Sequence, residues 1–342
     1  MIDGPTDRLP EGSPMADSTD KARMIAHCLT DAEFEGVPGF SSNKVRDAYQ
    51  LPDRRRLLIS TDRQSAFDHV LAAVPHKGQV LTQTARYWFD VTADVCPNHV
   101  LSYPDPNVVL VKDLDMLPLE MVVRGYLTGS TNTSPWPMYA RGERVLYGHR
   151  FPEGMKKNQP LPEPVITPTT KSAQGGHDVP TTEAEILSTQ LVTTEQWHEM
   201  ARKSLALFAR GQQVAAEKGL ILVDTKYEFG LDENGVVVVA DEIHTPDSSR
   251  FWIADSYEER FAAGEEPESL DKEFLRLWIT SQCDPYTEPI PPIPDDTIIE
   301  FSDKYIALIE RVTGQSFKRP GPALSVRARI REALAREFPE YF

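Results

Sequence analysis

The sequence predicts an α+β protein whose sheets are largely antiparallel and whose helices lie in the middle and at the end of the chain. Two observations support this: strand-like segments joined by short turns come first, and helix-like segments follow them. Strict alternation of strand and helix, typical of parallel sheets, is absent. With 342 residues and 40% hydrophobic composition, the chain can bury a sizeable core.

The bulk composition limits the classes of function. A net charge of −16 argues against binding to nucleic acid or to an anionic membrane, because both require a basic surface. The three cysteines are widely spaced and suggest neither a disulfide framework nor a zinc site. No membrane-spanning apolar run and no signal peptide are visible. We therefore expect a soluble, cytoplasmic protein with small-molecule partners, and its oligomeric state does not follow from the sequence.

The first third of the chain is predicted to be rich in β-structure. Residues 1–33 are expected to form a partly disordered tail with a short helix around KARMIAHCL. KVRDAYQL and RLLIS, separated by a polar PDRRR turn, predict a β-hairpin between Lys44 and Ser60. A helix is expected at VLTQTARYWFDVTADV and a strand at LEMVVRGYLTGS. We expect a β-rich domain over residues 34–118.

The remainder is predicted to form a central α+β domain over 119–265 and C-terminal helices over 266–342. Residues 148–182 are rich in proline and predict a long loop, either a lid over a ligand or a plain surface loop. Helices are expected at EAEILSTQL and over TTEQWHEMARKSLALFARGQQVAAEKG, the latter capped by Thr194 and ended by Gly219. LDKEFLRLWIT and DDTIIEFSDKYIALIERVTG are also helical in pattern. The last helix should be amphipathic, with an apolar face formed by Val326, Ile330, Leu334 and Phe338.

The stretch VDTKYEFGLDENGVVVVADEIHTPDSSRFW, residues 223–252, predicts two strands around a tight turn. Charged residues occupy positions where a buried hairpin would be apolar. Strand alternation places the following residues on one face: Leu220, Leu222, Asp224, Lys226 and Glu228. A surface ladder of solvated charges is the plainer interpretation of this face.

The turn of this hairpin suggests a second interpretation. A two-residue turn at Asn234 and Gly235 would pair Glu228 with Asp241. Two carboxylates that face each other destabilise a sheet unless a cation lies between them. Lys226 could supply that cation, and so could Mg²⁺, which prefers carboxylates, water and phosphate oxygens as ligands.

Three further groups of residues could bind anions. Arg124 ends the apolar strand MVVR before the flexible GYLTGS turn, and Arg250 ends DSSR, so each could hold a phosphate or carboxylate or pair with an acidic neighbour. Lys44 and Arg46 share one strand face after GFSSN, where they could cover phosphates or lie on an exposed hairpin. The GxxxxGK[ST] and GxGxxG motifs are absent, so neither a P-loop nor a Rossmann site is predicted.

Eight segments follow one another along the chain: KVRDAYQL, STDRQSAFD, HKGQVLTQTARYWF, LPLEMVVRGYLTGS, EPVITPTTKSAQGGHD, LVDTKYEFG, ADEIHTPDSSRFW and LDKEFLRLWIT. In this order they resemble the phosphoribosylaminoimidazole-succinocarboxamide synthase (SAICAR synthetase) family of purine biosynthesis, and the resemblance extends over about residues 40–317. The resemblance implies an ATP-dependent ligase that joins L-aspartate to the carboxylate of carboxyaminoimidazole ribonucleotide (CAIR). It also implies Mg²⁺ as cofactor and a fold with an antiparallel N-terminal sheet and an ATP-grasp-like central domain.

The resemblance assigns roles to individual residues. Mg²⁺ and the triphosphate would be held by Glu228 and Asp241, with Lys226 beside them as the third catalytic residue. ATP would also contact Lys44, Arg46 and Met116. Substrate contacts are implied for Ser65, Asp68, Arg124, Ser130, Lys171, Asp178, Asp224 and Arg250. Asn43 departs from the family, which usually has Gly at this position: Asn tolerates a positive φ, but its side chain leaves less room for that backbone to approach phosphate.

Two other classes of function share these nucleotide-binding residues. One is a kinase or a different ATP-dependent ligase, and the other is a protein that binds nucleotide without turnover. A second set of cations, in Arg124 and Arg250, favours the ligase because a second anionic substrate needs its own partners.

Overall fold

The computed structural model describes residues 18–67, 69–131, 133–170, 179–320 and 324–342. Its helices are α1 (Ser18–Ala26), α2 (Lys77–Val91), α3 (Pro135–Ala140), α4 (Glu183–Ser188), α5 (Thr194–Glu217), α6 (Ala254–Ala263), α7 (Glu273–Gln282), α8 (Asp295–Thr313) and α9 (Val326–Glu337). Its strands are β1 (Phe40–Ser42), β2 (Arg46–Leu51), β3 (Arg55–Ser60), β4 (Arg63–Ala66), β5 (His69–Ala73), β6 (Val100–Asp105), β7 (Val108–Lys112), β8 (Asp115–Leu127), β9 (Val145–Leu146), β10 (His149–Arg150), β11 (Gln159–Ile166), β12 (Thr169–Thr170), β13 (Val179–Pro180), β14 (Leu220–Leu231), β15 (Val237–Ala240) and β16 (Ser249–Ile253).

A five-stranded antiparallel sheet, which we call the N-terminal sheet, has the order β1-β2-β3-β7-β6. The predicted hairpin between Lys44 and Ser60 is confirmed, because β2 pairs with β3 from Arg46↔Ser60 to Leu51↔Arg55. One face of this sheet is covered by α9, whose Ile330 and Leu334 join a buried apolar cluster with Leu57 and Ile59 of β3. The other face is left to form one wall of a cleft.

A seven-stranded sheet, the central sheet, forms the opposite wall. Its main path is β13-β12-β8-β14-β15, while β11 also pairs with β8 and β16 with β14. The named strand pairs are antiparallel, as predicted. The long helix α5 covers the outer face, where Leu207 and Phe208 pack with Met121, Tyr227 and Phe229 in the largest buried cluster. The α+β fold class predicted from the sequence is thus confirmed.

The predicted end signals of α5 and α8 agree with the structure to within one residue, whereas α2 (Lys77–Val91) lies about three residues earlier than predicted and α4 (Glu183–Ser188) ends three residues earlier. The N-cap of α5 is Thr193 rather than Thr194, and its side chain forms a capping box with Gln196. Gly219 follows the end of α5 with a positive φ of 66°, and Gly314 ends α8 with a φ of 69°. Both angles suit glycine, because the left-handed region is costly for other residues.

The segment 148–182 differs from its prediction as one long loop. The chain forms β11 at Gln159–Ile166, which pairs with β8, and two short strands that extend the sheet. Prolines in β11 interrupt its pairing with β8 between Pro160 and Val165, which explains why its pattern does not resemble a strand. Lys171 and Asp178 lie outside the described residues.

The C-terminal helices α7 and α8 pack against α2 and the β4–β5 hairpin. Phe301 and Tyr305 of α8 lie with Leu81 of α2 and Leu275 of α7 in one buried cluster. No helix in the described ranges is long and apolar enough to cross a membrane. The domain limits predicted at residues 118 and 265 stay predictions, and β8 itself runs across residue 118.

Candidate active site

A cleft of about 990 Å³ lies between the N-terminal sheet and the central sheet. Its walls come from β2, β3, β7, β8, β14 and β15, and one end is closed by the 241–250 turn and the start of α7. It is lined by ten residues that the sequence assigned to the site: Lys44, Arg46, Ser65, Met116, Arg124, Asp224, Lys226, Glu228, Asp241 and Arg250. Asp68 lies outside the described residues, as Lys171 and Asp178 do.

Small apolar side chains face each other across one part of the cleft. Ala48, Leu58 and Val111 form a cluster on the N-terminal sheet, and Leu114 and Ala240 belong to a cluster on the other side. All five residues line the cleft. A slot between two apolar surfaces is suited to a flat aromatic ring such as a nucleobase.

A lysine between two glutamates forms the centre of the site. β14 and β8 pair in a register that puts Glu228 directly opposite Glu120. Lys226 donates to both carboxylates, at 2.5 Å to Glu120 and 2.9 Å to Glu228. Burial would lower the pKa of Lys226, but Glu228 and Glu120 outweigh it and raise that pKa well above its ordinary value. This lysine therefore stays charged.

Arg46 of β2 reaches across the cleft to the opposite wall. Its guanidinium bonds to Asp241 and lies 3.3 Å from Glu242. Burial acts to lower the pKa of Arg46, and the two carboxylates raise it by more. The pKa of Glu242 is raised, mainly by burial and against the influence of Arg46. Asp241 has a φ of 62°, which is strained for a residue other than glycine and directs the chain out of β15 at this point.

The predicted pairing of Glu228 with Asp241 is wrong by one residue. β14 pairs with β15 as Glu228↔Ala240 and Leu231↔Val237. The turn contains three residues rather than two, since Asp232 accepts a backbone hydrogen bond from Gly235 and donates one to Val236. Glu228 and Asp241 both still line the cleft, and the carboxylate that faces Glu228 belongs to Glu120.

The prediction of which β14 residues share one face is correct for the charged residues and wrong for the leucines. Asp224, Lys226 and Glu228 do share the cleft face. A β-bulge between Leu222 and Asp224 in the pairing with β16 reverses the alternation, so Leu222 packs into the core beside Tyr227. The charged ladder is therefore the wall of a cleft rather than a solvated surface.

Two arginines at the other end of the cleft share one carboxylate. Asp224 accepts from Arg124 at 3.1 Å and from Arg250 at 2.5 Å. Arg124 also donates to Thr167 at 2.8 Å, and Arg250 donates to Glu273 of α7. Burial lowers the pKa of Arg124 despite Asp224, whereas Asp224 and Glu273 raise the pKa of Arg250 against the effect of burial. This end of the site can hold an anion, since both guanidinium groups line the cleft and guanidinium binds phosphate and carboxylate well.

Ser130 lies behind this arginine pair and is not part of the cleft lining. Its hydroxyl is buried without a partner in ordinary hydrogen-bond geometry among the described residues. It lies near Glu273, whose pKa is held at about 2: burial would raise it, and Arg250, Arg276 and then Ser130 lower it. Arg250 is therefore oriented from behind by Glu273.

Several polar residues on and behind the cleft wall were not predicted from the sequence, and Asp247 is the lining residue that connects them. Lys77 is fully buried and donates to Asp247 at 2.8 Å, and Tyr305 donates to the same carboxylate at 2.6 Å. Lys272 lines the same end of the cleft, where burial lowers its pKa to about 8 despite Asp247. The i, i+4 spacing of Lys272 and Arg276 in LDKEFLR is the signal that could have identified that pair.

The donor set also determines which metal the site could take. Within the described ranges, no three His, Cys, Asp or Glu residues are arranged to hold a metal ion by themselves. Glu228 and Asp241 supply hard oxygen atoms on the cleft surface, next to the slot. One or two carboxylates completed by phosphate oxygens and water are the usual environment of Mg²⁺, so the residues fit that ion better than zinc.

A family model described as SAICAR synthetase matches residues 40–293. The chain belongs to the SAICAR synthetase family. A relative from Agrobacterium fabrum is 56% identical over 311 residues, covering 91% of this chain and 98% of its own length. The phosphoribosylaminoimidazole-succinocarboxamide synthase of Legionella pneumophila is 50% identical over 299 residues, covering 86% and 95%. The resemblance inferred from the eight segments is therefore confirmed.

Solved structures of SAICAR synthetases share the fold. The SAICAR synthase of Saccharomyces cerevisiae in complex with SAICAR superposes with a TM-score of 0.72 at 31% identity, covering 85% of this chain and 99% of the yeast chain. A SAICAR synthetase in complex with ADP has a TM-score of 0.63 at 24% identity, covering 82% and 99%. The match of the family model ends at residue 293, so both α8 and α9 lie beyond it.

Proposed function

We propose that the protein is the ATP-dependent ligase that joins L-aspartate to the carboxylate of CAIR, giving SAICAR, ADP and phosphate. The observation that carries this proposal is one continuous cleft with two separate polar ends. Lys226, Glu228 and Asp241 lie beside an apolar slot, and Arg124 and Arg250 lie at the other end. A nucleoside triphosphate and a second anionic substrate can thus bind side by side.

The nucleotide is proposed to bind with its base in the slot and its phosphates toward Lys226 and Arg46. Met116, which is 40% exposed and lies at the start of β8, would contact the base where the chain enters the central sheet. Lys44 precedes β2 at the mouth of the cleft, where its ammonium group can approach phosphate oxygens. These cations would balance the triphosphate charge in an otherwise acidic protein.

We propose that Glu228 and Asp241 hold Mg²⁺ when nucleotide is bound. The ion would neutralise phosphate charge, which is the chemistry that it supplies to phosphoryl transfer. In the structure, Arg46 neutralises Asp241 and Lys226 neutralises Glu228, so each cation holds a position that Mg²⁺ could take. When Mg²⁺ binds, the side chains of Arg46 and Lys226 would therefore move from these carboxylates to the phosphates.

CAIR is proposed to bind at the arginine end. Arg124 and Arg250 would hold its anionic groups, Asp224 would face its ribose, and Ser65 lies on the adjoining wall. Asp68, Lys171 and Asp178 are proposed as further contacts on the basis of the family motifs alone. All proposed partners are small molecules, and a reducing cytoplasm suits the three free cysteines.

The chemistry follows from the weakness of a carboxylate as an acyl donor. We propose that a carboxylate oxygen of CAIR attacks the γ-phosphorus of ATP, so that ADP leaves and an acyl phosphate forms. The aspartate amine then attacks the acyl carbon, phosphate leaves with the bonding electrons, and the amine loses a proton to become an amide. Charged side chains held in fixed pairs favour such a reaction through alignment and charge neutralisation.

Release of ADP and phosphate tests this assignment against its alternatives. With ATP, Mg²⁺, CAIR and L-aspartate together, the wild type should release ADP and phosphate in equal amounts with SAICAR. Omission of aspartate should stop steady-state turnover. Full turnover without aspartate would instead indicate a kinase or an ATPase, and binding of ADP without any turnover would indicate a non-catalytic protein.

A further inference from the structure

His99 is a buried histidine whose ring nitrogens lack a hydrogen-bond partner in the part of the chain that the structure describes. Its side chain is 3% exposed and lines the cleft. Among the described residues, neither Nδ1 nor Nε2 has a hydrogen-bond partner. A buried polar group without a partner costs free energy, so a ring with two such atoms on a cleft wall points to a ligand.

The backbone around His99 holds the ring at the junction of the two sheets. Lys112 of β7 donates to the His99 carbonyl at 2.8 Å, and Val239 of β15 donates to the Pro97 carbonyl at 3.0 Å. Asn98 forms an isolated bridge with Val239. The ring also meets Phe89 edge to face, with ring centroids 5.6 Å apart. His99 is therefore a fixed part of the inner end of the cleft.

The surroundings keep this imidazole neutral. Burial lowers the pKa of His99 to about 3, and the Arg46 guanidinium acts in the same direction, whereas Glu228 opposes both. A neutral imidazole offers one N–H donor and one acceptor nitrogen. The acceptor nitrogen is a partner for an N–H group of a ligand, and the neighbouring Arg46 and Glu228 already have charged partners.

The position of His99 indicates which part of a ligand it meets. Val111 and Ala240 line the apolar slot. Their neighbours in sequence, Lys112 and Val239, donate backbone hydrogen bonds to His99 and Pro97, so segment 97–99 lies beside the slot. A ring lying in the slot would direct one edge toward this segment. On the adenine base of a nucleotide, the exocyclic amine is the N–H donor that could satisfy an acceptor nitrogen.

We propose that His99 is a specificity-determining residue that accepts a hydrogen bond from the exocyclic amine of the adenine base. This inference rests on the proposed function, since it assumes that the slot binds the base of ATP. According to this proposal, His99 allows the protein to bind adenine more tightly than a purine that lacks the amine. The loss of one hydrogen bond to a buried acceptor corresponds to about tenfold in affinity.

Calorimetric titration with two nucleotides in Mg²⁺ tests the proposal. The probes are ADP and purine riboside 5′-diphosphate, in which hydrogen replaces the amine. The wild type should prefer ADP, and His99→Phe should reduce that preference by about tenfold through weaker ADP binding alone. His99→Gln, whose amide oxygen can accept, should retain part of the preference. An equal loss for both nucleotides would assign His99 a structural or water-binding role and would overturn the proposal.

His244→Gln is the matched control. His244 is also fully buried and has an unpartnered Nδ1 among the described residues, but it does not line the cleft. This control should leave the ratio of the two affinities unchanged.

A measurement on the wild type keeps the test independent of folding in the variants. With ¹⁵N-labelled histidine, ADP should shift one ring-nitrogen resonance of His99, and purine riboside diphosphate should not. The same shift with both nucleotides would contradict the proposal. Failure of the wild type to bind ADP at all would instead count against the proposed function.

Discussion

Glu228 is the residue whose replacement separates metal binding from nucleotide binding. We expect Glu228→Gln to weaken ADP binding by at least about tenfold in Mg²⁺, because the amide replaces one of the two proposed carboxylate ligands of the ion. In EDTA the variant and the wild type should bind ADP with similar affinity. Titration calorimetry under both conditions measures the difference.

Glu233→Gln is the matched control, since Glu233 lies exposed at the tip of the same hairpin. It should bind ADP as the wild type does under both conditions. If Glu228→Gln kept full affinity in Mg²⁺, Glu228 would not be a metal ligand.

Arg124 is expected to serve the imidazole nucleotide rather than ATP. Arg124→Lys keeps the charge but loses the planar fork that contacts Asp224 and Thr167. The KM for CAIR should rise about tenfold or more, and the KM for ATP should change by less than about threefold. Steady-state kinetics with each substrate varied in turn gives both values.

Arg210→Lys provides the comparison for Arg124→Lys. Arg210 also binds a carboxylate with two nitrogens, that of Asp94, but it does so away from the cleft. The control should leave both KM values unchanged, and an equal rise of both in Arg124→Lys would contradict its assignment.

Ten site residues could be named from the sequence because they lie in long local motifs. Glu120 could not, although it precedes Arg124 by four strand positions and therefore lies on the same face. Its partner Lys226 is about a hundred residues away, and no local pattern fixes the register between β8 and β14. Glu242 was missed for the related reason that Arg46, which holds it, comes from the other sheet.

The β14–β15 turn shows how one residue changes a strand pairing. Asn-Gly suits a two-residue turn, and the sequence alone did not distinguish it from a three-residue turn that ends in a glycine with positive φ. Asp232 decides between them, because its side chain accepts from the backbone of Asn234 and of Val236, each at 2.9 Å. Gly235 then takes a φ of 75°. A local carboxylate thus moved the whole hairpin register.

Helix α9 was predicted well because its apolar residues recur every four positions. We expect Leu334→Ala to lower the free energy of unfolding by about 2–5 kcal/mol, since Leu334 is fully buried between α9 and the N-terminal sheet. Urea denaturation followed by circular dichroism measures this loss.

Glu332→Ala, on the exposed side of α9, should change the unfolding free energy by less than about 0.5 kcal/mol. A loss for Leu334→Ala as small as that of Glu332→Ala would mean that α9 is not part of the cooperative core.

The stability of the whole molecule should depend on one buried histidine. Burial lowers the pKa of His244 from 6.5 to about 3, and its Nε2 lies 2.6 Å from the Tyr227 hydroxyl. The unfolded chain takes up a proton near pH 6.5 and the folded chain does not, so acidification below that pH favours unfolding. By pH 5 the wild type should lose roughly 2 kcal/mol relative to His244→Gln.

Urea unfolding of both proteins between pH 7.5 and pH 5 measures that relative loss. Asp62 and Asp271, whose pKa values burial raises to about 6 and about 7, act in the opposite direction over part of this range. They are present in both proteins and therefore cancel in the comparison. A difference that stays constant with pH would show that His244 is not held neutral.

The paired strands β8 and β14 also determine the distance between the two ends of the site. The arginine-binding Asp224 and the proposed metal ligand Glu228 are four strand positions apart, which corresponds to roughly 13 Å of extended backbone. Arg124 and Glu120 repeat the same interval on the partner strand. Backbone hydrogen bonds, rather than mobile side chains, thus fix how far apart the two proposed substrates are held. Replacement of one side chain in either strand would therefore change which groups are bound but not the spacing between the two proposed substrates.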